Sequence, residues 1–267
     1  MPIIDVNEAT IAYSDTGPRD AQPIVFGHGL LFSGWMFHRQ IAALSDRYRC
    51  VTIDWRGQGD SPPARTGYDM DTLTGDAVAL IEKLELAPVH WVGLSMGGFI
   101  GQRLAARHGE LLRSLTLLDT SATAEGPKKS GRQRLLARVQ QVVGIKALMS
   151  QVKPLLWGPE FRADPAGRAM IDEWVRRVSR MDRGAVRDAV FGVTERQPVT
   201  GELCAITVPT LVVVGADDVS TPVAESERIA AAIRGAELRV VPDCGHTSSL
   251  EQPAAITALL EKFLADA

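Results

Sequence analysis

The sequence predicts an α/β protein: a mostly parallel sheet with helices on both faces and a helical segment set into it. Three observations carry that expectation. Short runs rich in Val, Ile and Leu alternate with longer helical patterns. Most of these runs lack polar alternation, as strands covered on both faces do. One stretch, 126–200, holds helical patterns and no convincing strand. A chain of 267 residues, 45% hydrophobic and 23% charged, can bury a large core within a single domain. That balance excludes collagen-like, disordered and disulfide-stapled classes.

The strand-like runs fall at 24–26, 51–53, 89–92, 115–118, 210–214 and 238–241. A hairpin over 5–13, turning at Asn7–Glu8, adds an antiparallel edge. Helical patterns cover 73–86, 99–108, 223–233 and 254–264, with Asp71 or Thr72 as the cap of the first and Pro253 opening the last. The division that follows is a core of 1–125 and 201–267 with a helical cap, 126–200, inserted between two strands. Helical patterns in the cap lie at 134–143, 169–180 and 185–193, interrupted by Pro154, Pro159 and Pro165. The cap carries 15 Lys and Arg against 7 Asp and Glu, and the rest of the chain 14 against 25, so a segment of +8 sits on a body of −11. Those cations either solvate helix faces or draw an anionic substrate to the sheet.

A net charge of −3 gives no reason to expect nucleic acid as a partner. Cys50, Cys204 and Cys244 are widely spaced and odd in number, which fits neither a disulfide framework nor zinc ligation; no metal is expected. The opening Met-Pro-Ile-Ile-Asp lacks a leader's basic and apolar regions, and no apolar run approaches membrane-spanning length. The expectation is a cytoplasmic protein with no membrane partner.

Chemistry concentrates in Gly93-Leu94-Ser95-Met96-Gly97-Gly98, which follows one strand-like run directly and precedes a helix. Small residues two before and two after a serine let a strand turn sharply into a helix, lifting the hydroxyl above the sheet at a helix N-terminus. A serine hydroxyl needs a base to take its proton and a carboxylate to orient that base. Of five histidines, His246 alone lies in a glycine-containing loop after the last strand; His38, His90 and His108 fall in helix or strand patterns. Asp218, in Gly215-Ala216-Asp217-Asp218, is the expected acid and completes the chain order Ser, Asp, His; Asp119 is its rival from the neighbouring strand. The expected oxyanion donors are the N–H groups of Met96 and Leu30, with His28 bracing the loop Gly27-His28-Gly29-Leu30-Leu31. Leu31, Trp35, Trp157, Val219 and Leu250 are expected to line a substrate pocket.

With those residues in place, the chain resembles the α/β-hydrolase fold superfamily over its whole length. His28-Gly29, the run from Asp54 to Ser61, the Ser95 motif, Gly215 to Asp218 with Pro222, and Gly245-His246 followed by Leu250-Glu251-Gln252-Pro253 carry the resemblance. The Ser95 motif and the compact cap resemble the branch of 3-oxoadipate enol-lactonases, cofactor-free haloperoxidase-like esterases and carboxylesterases. The resemblance implies an eight-stranded sheet whose second strand is antiparallel, no cofactor, and a structural role for the Asp54 to Ser61 run. Serine where related dehalogenases and epoxide hydrolases carry aspartate favours acyl transfer. The expected function is a serine hydrolase of a small carboxylic ester or lactone. The alternatives are a C–C bond hydrolase of ring-cleavage products, a perhydrolase, and a ligand receptor on a hydrolase scaffold.

Overall fold

The computed structural model describes all residues, Met1–Ala267. In chain order the elements are β1 (Ile3–Val6), β2 (Ala9–Thr16), β3 (Pro23–Gly27), α1 (His38–Leu44), β4 (Arg49–Ile53), α2 (Met70–Lys83), β5 (Val89–Leu94), α3 (Met96–Arg107) and β6 (Leu112–Leu118). Five helices then precede the next strand: α4 (Pro127–Val143), α5 (Met149–Leu156), α6 (Pro159–Ala163), α7 (Pro165–Val178) and α8 (Arg183–Thr194). The chain closes with β7 (Thr210–Gly215), α9 (Val223–Ala232), β8 (Glu237–Val241), α10 (Ser248–Glu251) and α11 (Pro253–Asp266).

The eight strands form one sheet in the order β1-β2-β4-β3-β5-β6-β7-β8. β2 runs antiparallel to both neighbours, and every pair from β4 to β8 is parallel. The β1–β2 turn is the one read from sequence: Asn7 and Glu8 both take positive φ, which a two-residue hairpin of the primed kind requires. β5 is buried at every position, as a central strand covered on both faces must be. Its alternate side chains feed two cores. Trp91 packs with Val25, Val51 and Leu115 on one face, while Val92 and Leu94 pack with Ile24, Phe26 and Leu118 on the other.

Local chemistry corrects several boundaries. α2 begins three residues earlier than its apolar pattern because Asp69, rather than Asp71 or Thr72, caps it, its carboxylate accepting the Thr72 N–H at 2.9 Å. Pro159 and Pro165 open helices instead of breaking them, since proline at the first helical position gives up an N–H that no carbonyl could reach. α5 tolerates Pro154 near its end. α5 and α6 are the cap helices that the apolar pattern misses.

The β1–β2 hairpin is tied to α2 by Arg56, whose guanidinium makes two bonds to the Asp76 carboxylate, at 2.6 and 2.8 Å, and reaches the Asn7 carbonyl at 2.9 Å. Both charged side chains are buried. Removing one partner of a buried ion pair strands the other charge, so Asp76→Ala is expected to cost about 3–5 kcal/mol of stability. The fall in the urea unfolding midpoint measures it.

Candidate active site

Between β5 and α3 the chain turns within one residue. Ser95 takes φ 52 and ψ −107, a strained backbone for a residue with a side chain. The turn closes only because its neighbours lack side chains: a Cβ at Gly97 would overlap the Gly27 carbonyl of β3, and one at Gly93 the Gly97 carbonyl. The Ser95 N–H donates to Leu118 O at 2.9 Å, and the Thr120 hydroxyl donates to Ser95 O at 2.9 Å, fixing the strained residue from the β6 side.

The structure brings Ser95, His246 and Asp218 into one hydrogen-bonded line. His246 Nε2 lies 2.9 Å from Ser95 Oγ, and Nδ1 lies 2.8 Å from Asp218 Oδ2. An ionised carboxylate only accepts, so Nδ1 carries the proton and Nε2 is left to accept from the serine hydroxyl. Asp218 is held on all sides: Oδ1 accepts the N–H groups of Ser220 and Thr221 at 2.8 and 2.9 Å, and Oδ2 accepts the Thr221 hydroxyl at 2.8 Å. Burial opposes its charge, but the imidazole and these donors outweigh burial and hold Asp218 below the usual carboxylate range. For His246 burial again opposes the charged form, and the adjacent Asp218 more than offsets it, so its pKa is raised. Asp217 stands exposed beside this line and outside it.

The loop after β3 is braced so that one N–H stays uncommitted. The Leu31 N–H donates to Gln58 Oε1 at 2.7 Å, the Phe32 N–H to Gly29 O at 3.2 Å, and the Gly29 N–H to the Met36 sulfur at 3.4 Å. The Leu30 N–H has no such partner within the chain, and Met96 leads α3, where no helical carbonyl precedes it. His28 is a brace. Its Nδ1 meets Gly29 O at 2.7 Å, its Nε2 accepts the Trp55 N–H at 3.0 Å, and burial pushes its pKa down to about 3, so it stays neutral. Asp54 accepts the N–H groups of Gly34 and Asp60, at 2.7 and 2.9 Å, which is how the Asp54 to Ser61 run supports this loop. His90 is likewise structural, bonded through Nδ1 to Ser114 at 2.7 Å.

Ser95 and His246 open into a cavity of about 980 Å³, its mouth included, of which 15 of the 24 lining residues are hydrophobic. Of the residues expected in a pocket, Leu31 lines this cavity, and Leu30 lies beside it in the lining. Four other expected residues do not. Trp35 lies on a short turn whose Met36 and Phe37 take the inward positions; it stacks flat on His38 beneath the Arg177 guanidinium. Trp157 fills the seam behind the cavity, packed on Phe32, Phe161 and Trp174. Val219 is 58% exposed, because Asp218 takes the inward direction and its neighbour points out. Leu250 is buried on α10, which packs against α1 and α11. The missed lining is mostly cap: Leu136, Ile145, Val152, Leu155 and, at the i, i+4, i+7 spacing of one helix face, Val186, Val190 and Val193. That spacing is the signal in the sequence that could have found them.

The fold and this site define a hydrolase of the α/β class with a serine at the strand–helix elbow. Residues 22–253 match the alpha/beta hydrolase fold family, and the chain belongs to it. It is 32% identical to a non-heme chloroperoxidase of Burkholderia pyrrocinia over 85% of both chains. Among solved structures it resembles the enol-lactonase of Burkholderia xenovorans LB400, with TM-score 0.92 and 28% identity over 99% of this chain and 100% of that one. A thermophilic esterase from Thermogutta terrifontis also superposes with TM-score 0.92, at 26% identity over 100% and 99% of the two chains. No helix is long and apolar enough to cross a membrane.

Glu251 fastens the His246 loop to the cap. Its buried carboxylate accepts the N–H groups of Gly158 (2.8 Å), Gly245 (3.0 Å) and Thr247 (3.0 Å) and the Thr247 hydroxyl (2.8 Å). Glu251→Ala leaves those donors unmet, with an expected loss of about 3 kcal/mol or more. Urea denaturation measures it, and proteolysis should cut first in the His246 loop.

Proposed function

We propose that this protein is a serine hydrolase of small, uncharged carboxylic esters or lactones, working through an acyl-enzyme on Ser95. The observation that carries the reading is the hydrogen-bonded line Asp218–His246–Ser95 opening into an apolar cavity. In the proposed cycle Ser95 Oγ attacks the ester carbonyl as His246 Nε2 takes its proton. The N–H groups of Leu30 and Met96 hold the oxyanion, aided by the positive end of α3. His246 then protonates the departing alcohol and deprotonates the water that releases the acid. Asp218 keeps Nδ1 protonated and steadies the imidazolium. The names of relatives, an enol-lactonase and an esterase among them, support acyl transfer.

Charge on the cavity wall supports an uncharged substrate. Lys129 is the one cation among the lining residues, and it is engaged, 2.8 Å from Glu125 and donating to Ser220 O at 2.7 Å. Glu125 is in turn paired with Arg196 at 3.0 Å. No free cation is left to receive a substrate carboxylate. The cytoplasm, where unpaired Cys50, Cys204 and Cys244 would stay reduced, fits this reading.

Ser95→Ala and His246→Ala are each expected to lower kcat on p-nitrophenyl esters by about 10⁴ to 10⁶ with an unchanged circular-dichroism spectrum. Asp218→Asn should cost about 10⁴, while Asp217→Asn is mild. Near-normal turnover by folded Ser95→Ala would remove the nucleophile from the reading. The substrate class has its own check. For a carboxylate-bearing ester and a matched neutral one, kcat/KM should respond equally and weakly to added salt, with the neutral ester preferred. A free cation would instead give a salt response confined to the anionic ester, since its reach is screened over about 8–10 Å.

A further inference from the structure

Asp119 lies behind the line of Ser95, His246 and Asp218, touches none of the cavity, and is fully buried at the end of β6. Its φ is +47, a left-handed backbone at a residue with a side chain. What holds it there is visible in its bonds. Oδ1 accepts the Gly215 N–H at 2.9 Å, at the last residue of β7 and three before Asp218. Oδ2 accepts the Ser248 N–H at 3.2 Å, two residues after His246. Its own N–H donates to Val213 O at 2.9 Å. One side chain therefore spans the two loops that must meet for Asp218 and His246 to bond.

We propose that Asp119 is a positioning residue of this site, whose carboxylate locks the Asp218 turn to the His246 loop and whose negative charge supports the imidazolium form of His246. The proposal rests on the hydrolase reading for its effect on turnover. Both oxygens accept from N–H groups, and bonds of that kind favour the charged carboxylate over its protonated form. Burial, and then the neighbouring Asp218, raise its pKa, while the imidazole and the Ser248 and Gly215 N–H groups favour the charged form. The ionisable groups around it are Asp218 on the acid turn and His246 and Cys244 on the base loop. His246 itself faces Asp218, Asp119 and, from α4, Lys129. Glu251 and Asp217 act on Cys244.

The sign follows from the charges. An anion beside His246 raises the imidazole's affinity for a proton, and its removal lowers it. Free base then persists to lower pH. Asp119→Asn keeps the shape, removes the charge and turns an amide N–H₂ toward one of the two donors. Its expected signature is a kcat lowered about tenfold or more with KM little changed, and an acid limb of the kcat/KM profile moved down by of the order of one pH unit. A folded Asp119→Asn enzyme with its acid limb unmoved would overturn the proposal and leave Asp119 a purely structural residue. Should that variant fail to fold, Asp119→Glu, which keeps the charge and displaces the two oxygens, is read in its place by NMR titration of the His246 imidazole in the Ser95→Ala background. A His246 midpoint moved by about half a pH unit or more is expected; an unmoved midpoint overturns the proposal. That titration needs no turnover, so it stands even where Ser95→Ala shows the hydrolase reading to be wrong.

Discussion

The closeness of three backbone segments at the elbow governs the rest of this molecule. Gly27 at the end of β3, Gly93 in β5 and Gly97 in α3 pack main chain against main chain, and no side chain fits between them. A serine at φ 52 stores roughly 1–3 kcal/mol of strain. It persists because its N–H and C=O are both taken, by Leu118 and by Thr120 with the first turn of α3, while Trp91 Nε1 donates to Gly97 O at 3.1 Å from below. The same closeness explains why β3 must be the neighbour of β5. Only then does the loop after β3, with its spare Leu30 N–H, emerge beside the first turn of α3. Strand order, helix direction and the two uncommitted donors are consequences of one packing constraint.

The cap is fastened on the side where the chemistry lies. The Ser220 hydroxyl donates to Leu155 O at 2.6 Å, and the Thr247 hydroxyl, its one proton shared with Glu251, faces Leu156 O at 3.1 Å, so the end of α5 meets both the Asp218 and the His246 loops. Glu251 adds Gly158, and Lys129 brings the start of α4 to Ser220. These are polar bonds in a part-buried seam, where the low dielectric strengthens each one and an unmet partner is costly. A cap tied in this way shapes the cavity wall and helps fix the Asp218–His246 bond itself. Asp119 makes the matching tie from below, through the sheet.

Features written in contiguous sequence are legible from the amino acids alone. The buried strands announce themselves by unbroken aliphatic runs, the elbow by glycines at fixed offsets, and the Asp218 and His246 that meet at Ser95 by loops after the last two strands. The hairpin at Asn7–Glu8 is legible for the same reason. The pocket is not, because side-chain direction depends on what the rest of the chain leaves open. Trp35 and Val219 stand beside chemically central loops in sequence and point away from them. Leu136 and Val190, distant in the chain from Ser95, Asp218 and His246, point in. The capping of α2 by Asp69 turns on a choice among nearby polar residues that periodicity does not resolve. Asp119 is legible as an acid near the site, yet its two partners, Gly215 and Ser248, lie far downstream in the chain.

The cap's excess positive charge shows how far composition reaches toward function. Several of its arginines pair locally on helix surfaces: Arg176 and Arg177 with Glu173, Arg187 with Asp188, Arg134 with Glu195. Arg134 and Arg138 also lie over the Phe191 ring, at 5.0 and 5.5 Å, a use of charge that covers apolar surface. The charged group that does approach the cavity, Lys129 with Glu125 and Arg196, is closed on itself, and Arg196 further covers the Phe99 ring at 4.2 Å. Pairing at that depth is required, since an unpaired charge on an apolar wall would carry a desolvation penalty. The result is a wall that excludes free charge while keeping polar bonds to both loops. Most of that wall is hydrophobic, and its polar side chains fall in two places: along α4, with Lys129, Gln133 and Gln140, and around Ser95 and His246.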